Sequence, residues 1–202
     1  VILVLFHTLV VVLGVLSMGF QLLASRLLNP HFGSSIVVWA WLISTFLAAF
    51  STGSILGGWV CGLSEARRNL ARTSIAAIGV ASLAVTAFAG RSLLGWIELR
   101  FVDMNVGLLV ACAGLFFVPV SALSSFGPQC VQFLSSFGRS PGSASGLVYG
   151  ISTLGNIAGV MLTAFVFIPN LRVSTLLILW TIVAVLGLGV LLALLRAGPS
   201  SR

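Results

Sequence analysis

The sequence predicts an all-α integral membrane protein of six transmembrane helices, arranged as two three-helix repeats. Three observations carry this. Only 6% of the 202 residues are charged and 59% are hydrophobic, with a mean hydropathy of +1.20, whereas a soluble domain carries roughly 25% charged residues. Six apolar stretches reach the length of about 20 residues that a spanning helix needs. The second and fifth of these carry small residues four apart, as equivalent members of two triplets would.

The first stretch runs from Val1 to about Leu23. It has no charged leading segment, is too long for a signal-peptide core and lacks a small-residue cleavage site, so it reads as a retained span. Asn29-Pro30-His31-Phe32-Gly33 then forms a turn-rich loop. The remaining spans run from about Ile36 to Leu63, Ser74 to Ile97 (interrupted near its end by Arg91), Val106 to Phe126, Ser143 to Ile168 and Ser174 to Leu195. Between the fourth and fifth, Gln129 to Phe137 mixes polar and apolar residues and reads as a short interfacial helix, bounded by Gly127-Pro128 and by Gly138-Arg139-Ser140-Pro141-Gly142. Pro169-Asn170 makes the turn before the last span. The whole chain, 1–202, reads as a single transmembrane domain.

All ten basic residues are Arg, an absence of Lys that fits a GC-rich bacterial genome. They lie singly or in one short cluster between apolar runs, where topology signals belong, and not on a stripe that would bind nucleic acid. With the N-terminus in the cytoplasm, Arg67, Arg68, Arg72, Arg139, Arg196 and Arg202 fall inside, and Arg26, Arg91, Arg100 and Arg172 outside. This predicts a bacterial inner (cytoplasmic) membrane protein with both termini cytoplasmic. Trp39, Trp41, Trp59 and Trp96 lie near predicted span ends, as an aromatic belt would place them, and Trp180 lies deeper.

No chemistry is expected of the chain, and no metal or cofactor. Cys61, Cys112 and Cys130 form no CxxC, and His7 and His31 have no Cys or carboxylate at ligand spacing. The acids are Glu65, Glu98 and Asp103, all outside the apolar runs; Glu98 and Asp103 share a loop with Arg91 and Arg100 and are expected to pair with them. Helix packing is expected along Ala49, Gly53 and Gly57, along Ser54, Gly58 and Gly62, and along Gly142, Gly146 and Gly150 followed by Gly155 and Gly159.

Polar groups inside spans are costly unless paired or facing a cavity. Asn156 sits mid-way along the fifth span with Ser152 and Tyr149 on nearby turns, and Gln21 lies just before Arg26 in the first. Gln21, Arg26, Tyr149, Ser152 and Asn156 are therefore the candidate ligand-binding residues for a small polar or anionic molecule. The other reading of the same residues stays open: the amides bond neighbouring helices, and Arg26 snorkels to the interface.

The segment from Gly19 to Ser35, GFQLLASRLLNPHFGSS, resembles the first-helix signature of the membrane part of fused major facilitator/spermidine synthase proteins. Trp39, the small-residue face ending at Gly57-Gly58, and the string from Gly146 to Gly159, GLVYGISTLGNIAG, extend the likeness along the chain in the same order. The resemblance implies a fold like half of a major facilitator transporter. Two departures limit it. Family members often carry Glu where this chain has Gln21, and the soluble synthase domain has no counterpart here, so synthase activity is not carried over. Gly62-Leu63-Ser64-Glu65-Ala66-Arg67-Arg68 looks like a degenerate form of the major facilitator loop motif, and is equally an ordinary positive-inside loop. The expected function is that of a transporter-like protein for a small polar solute, working as a homodimer in the lipid bilayer. The alternative is a non-catalytic subunit or assembly partner of a larger respiratory or photosynthetic membrane complex.

Overall fold

A computed structural model describes residues 2–197; Val1 and Arg202, used above for the first span and the charge tally, lie outside the described residues. Six helices among them are long and apolar enough to cross a membrane. They are α1 (Ile2–Phe32), α2 (Ile36–Cys61), α3 (Glu65–Arg100), α4 (Met104–Ser135), α5 (Pro141–Asn170) and α6 (Val173–Ala197). The chain is an all-α, multi-pass membrane protein. Helix α4 forms the centre, with 61% of its most apolar window buried, and α5 lies outermost, with 17%.

Five of the six helices run longer than hydropathy marks them, because polar ends remain helical once they leave hydrocarbon; α2 instead stops at Cys61, just short of the expected Leu63. Helix α1 continues through Pro30 to Phe32, and the first loop shrinks to a tight turn at Gly33, whose φ of 73° suits glycine. Ser35 then caps α2 by accepting from the Val38 N–H at 3.4 Å. Helix α3 has 36 residues, about 54 Å at 1.5 Å per residue, so both its ends project beyond a hydrocarbon core of about 30 Å. Glu65 to Arg68 form its first turn, which leaves only the start of the proposed loop motif as loop. Arg91 does not interrupt it.

The segment from Gln129 to Phe137 is not a separate interfacial helix. After one turn at Ser125, α4 continues to Ser135, with Phe126, Gln129, Cys130, Phe133 and Leu134 buried. Its polar residues point inward because they have work there. Arg72, 4% exposed, donates from Nε to Gln129 Oε1 at 2.9 Å and from Nη1 to the Leu195 carbonyl at 3.3 Å. Gln129 passes the bond on to the Ser125 carbonyl at 2.9 Å. This chain ties α3, α4 and the C-terminal turn of α6 together, and that turn's free carbonyls favour a cation.

At the opposite end, the expected pairing of Glu98 and Asp103 with Arg91 and Arg100 does not occur. Glu98 pairs with His31 at 2.7 Å, and Asp103 caps α4 by accepting from the N–H groups of Asn105 and Val106. An acid beside free helical N–H groups is stabilised there more than one facing an exposed arginine.

Two wide, five-residue π turns interrupt α4 at Ala113–Phe117 and α5 at Thr163–Phe167. Each contains the residue four before a proline, Leu115 for Pro119 and Phe165 for Pro169. There the proline offers no N–H and its ring crowds the carbonyl. The Leu115 carbonyl is satisfied instead by the Thr86 hydroxyl of α3 at 2.9 Å, as hydrocarbon requires.

Close crossings hold the bundle. Helix α1 packs on α5, α2 on α4, and α3 on α6. A Cβ added at Gly155 or Gly159 would strike the Val11 or Val15 carbonyl of α1, and one at Gly53 or Gly57 would strike the Ser121 or Ser125 carbonyl of α4. Ala49, wholly buried, continues that second crossing. Among the described residues, Gly58, Gly142, Gly146 and Gly150 meet nothing, and Gly62 meets only the Trp59 carbonyl of the helix it ends. The small residues thus divide into those that pack within the described chain and an open set, Gly58 and Gly62 at the end of α2 and Gly142, Gly146 and Gly150 on α5.

Two outcomes follow. Gly155→Val or Gly57→Val lowers the thermal unfolding midpoint in mild detergent, by the equivalent of about 1–3 kcal/mol for an overpacked contact, while Gly58→Val leaves it unchanged. Arg72→Met, which strips Gln129 and the Leu195 carbonyl of a charged donor, costs about 1–3 kcal/mol in the same assay; exposed Arg67→Met costs within about 0.5 kcal/mol.

Candidate functional site: an uncharged polar cavity among four helices

The crossing of α1 on α5 places the polar groups of α5. Gly14 lies against the Ser152 carbonyl and the Asn156 backbone N–H, so the two helices touch at backbone distance. Ser152 and Asn156 then stand at the edge of the contact, where α2 and α4 leave a gap. The result is a cavity of about 220 Å³ bounded by α1, α2, α4 and α5. Its polar lining comes from Ser17 on α1, Ser54 on α2, Ser124 on α4, and Tyr149, Ser152, Thr153 and Asn156 on α5. Val10, Leu13, Phe50, Leu123 and Val148 supply apolar walls.

The polar groups are of two kinds. Ser17 donates to the Leu13 carbonyl at 2.8 Å, Thr153 to the Tyr149 carbonyl at 2.8 Å, and Ser124 to the Ala49 carbonyl at 3.3 Å. These hydroxyls are largely occupied. The side chains of Ser54, Ser152 and Asn156 have no hydrogen-bond partner among the described residues, and are free to meet a solute or water. No charged side chain lines the cavity. It can therefore recognise a molecule by hydroxyl and amide hydrogen bonds, and it offers nothing to balance an ion.

The structure splits the five residues singled out from the sequence. Tyr149, Ser152 and Asn156 share this cavity, and the ring of Tyr149 reaches over Gly127 of α4. Arg26 lines a different cavity, of about 290 Å³, at the other end of α1, so it is no charge partner for Asn156. Gln21 lines neither. Hydropathy and spacing along α5 found its three residues because they sit on one helix. Ser17, Ser54 and Ser124 each lie on another helix, and a lone serine in an apolar run carries no signal until the helices are packed. Gly14 was missed for the same reason.

No protein-family model, curated protein or solved structure matches this chain. The chemistry of the site rests on its own residues. Among the described residues no group of three His, Cys, Asp or Glu side chains comes together.

A labelling pattern is expected. With Cys61, Cys112 and Cys130 replaced by Ala, Ser152→Cys and Asn156→Cys react with a small water-soluble thiol reagent in membranes. Phe88→Cys, on the outward side of α3 with Phe88 74% exposed, does not. Equal reactivity at all three positions would mean that the cavity is no watered compartment.

Proposed function

We propose that the chain is a transporter-like protein for a small, uncharged polar solute, working as a homodimer in a bacterial inner membrane with both termini cytoplasmic. The observation that carries the reading is the cavity at Asn156, where free hydroxyl and amide groups of α2 and α5 converge within the apolar bundle without a charge. Polar groups left unpartnered in a membrane bundle are expensive, and facing a solute path repays that cost. The solute class follows from the lining: a polyol, sugar or similar neutral molecule in place of an ion.

The helix pairing supports the likeness to half of a major facilitator transporter. Exchanging the triplets α1–α3 and α4–α6 turns the α1–α5 pair into α4–α2 and returns α3–α6 to itself. In both mixed pairs, glycines four apart in the middle helix of one triplet meet carbonyls four apart in the first helix of the other: Gly155 and Gly159 on Val11 and Val15, Gly53 and Gly57 on Ser121 and Ser125. An inverted three-plus-three repeat produces this correspondence. One such half does not enclose a central path. The open glycine face of α5 at Gly142, Gly146 and Gly150 suits a second copy that closes it. Arg67, Arg68, Arg72, Arg139 and Arg196 gather at one end, which supports a cytoplasmic placement of that end.

One observation favours a second reading. With no charged group at the cavity, there is no site for a coupling ion or proton, and the open face of α5 could seat a different chain. The protein would then be a non-catalytic subunit of a larger membrane complex.

The deciding experiment pairs native mass spectrometry of gently extracted protein with solute flux in liposomes. The expected particle contains two copies and nothing else, and reconstituted protein speeds re-swelling in neutral polyols or sugars. Asn156→Leu slows that flux about tenfold, the worth of one good hydrogen bond. A stoichiometric companion chain, with no flux, overturns the transporter reading.

A further inference from the structure

We propose that the second cavity, beside Arg26, is a binding site for an anionic phospholipid of the surrounding bilayer, distinct from the solute cavity at Asn156. It lies where α1, α2 and α5 meet at the end of the bundle that carries Glu98. Its chemistry is graded along the membrane normal. Asn29, Gly33 and Ser34 form the mouth, Ser25 and Arg26 stand about one turn deeper, and Leu22, Leu42 and Ala164 form the floor. Asn29 and Leu22 are two helical turns apart, about 10 Å. A small inorganic anion would leave the leucine floor empty, and a wholly polar solute would be desolvated against it. A phosphate headgroup followed by acyl chain matches both ends.

The charge argument is independent of the shape. Arg26 is the sole charged residue of the lining and has no ion-pair partner among the described residues. Glu98, an acid at the same end, is engaged with His31 at 2.7 Å. Arg26 is exposed; an arginine at the edge of hydrocarbon gains from a counter-charge, and a guanidinium matches phosphate oxygens with two parallel N–H bonds. Asn29 and Ser34 add neutral donors beside it. The cavity volume of about 290 Å³ equals roughly ten waters, which accommodates a phosphoglycerol group while the chains leave over the apolar floor.

The test uses the full protein in nanodiscs of mixed phosphatidylglycerol and phosphatidylcholine, released and weighed by native mass spectrometry. Wild-type protein is expected to retain one phosphatidylglycerol, about fivefold over phosphatidylcholine, in keeping with a charge-assisted contact. Arg26→Gln abolishes that preference, Arg26→Lys keeps part of it, and Arg139→Gln, an exposed arginine at the other end, keeps all of it. Leu42→Trp, which fills the floor and leaves the charge, also lowers retention, so the proposal stays testable if Arg26→Gln fails to fold. Equal retention in wild type and Arg26→Gln overturns the site. Equal losses in Arg26→Gln and Arg139→Gln show general attraction of anionic lipid to any arginine, and overturn it too. Displacement of the lipid by millimolar glycerol phosphate would make the occupant a soluble anion and overturn the lipid assignment.

Discussion

Hydrocarbon offers no hydrogen-bond partner, and the rest of this structure depends on that constraint. Every N–H and C=O inside the membrane must be satisfied by the protein itself, which makes the chain helical and makes each irregularity accountable. At each of the two π turns a proline breaks the ladder. At the first, Thr86 of α3 supplies the bond that Pro119 cannot. The buried indole N–H of Trp180 is satisfied across helices as well: it reaches the Leu16 carbonyl at 3.2 Å while its ring lies against Gly19.

With lipid as apolar as leucine, burying hydrophobic side chains does little to bring helices together, and close backbone approach takes over. The two glycine crossings, α1 on α5 and α2 on α4, are where this happens. They also make the polar cavity at Asn156. By drawing α5 onto α1 and α4 onto α2, they leave a gap between the two pairs, and Ser54, Ser124, Ser152 and Asn156 open into it. The stability of the bundle and the existence of the cavity thus share one cause.

The two ends of the bundle solve a different problem, that of charged groups near low dielectric. One end buries Arg72 and answers it with Gln129 and a helix C-terminus, with no carboxylate involved among the described residues. The other joins His31 of α1 to Glu98 of α3 and leaves Arg26 without an ion-pair partner among the described residues. That asymmetry is why the proposed lipid site falls at the second end and not at the richer arginine cluster.

The sequence by itself determined the solvent of this protein, the number of its spans and the importance of small residues four apart, since apolar run length and helical periodicity are local properties of a chain. Tyr149, Ser152 and Asn156 were legible for the same reason, lying together on α5. The structure alone decided which glycines pack, Gly155 and Gly57 but not Gly146 or Gly58, because each answer depends on what another helix presents across the contact. It also decided that Gln129 is buried, that Arg72 is a structural bond and not a loop charge, and that Arg26 and Asn156 belong to separate cavities. Hydropathy reads a residue's own preference, while burial of a polar group is set by a partner as far as 123 residues away in the chain, as Leu195 is from Arg72.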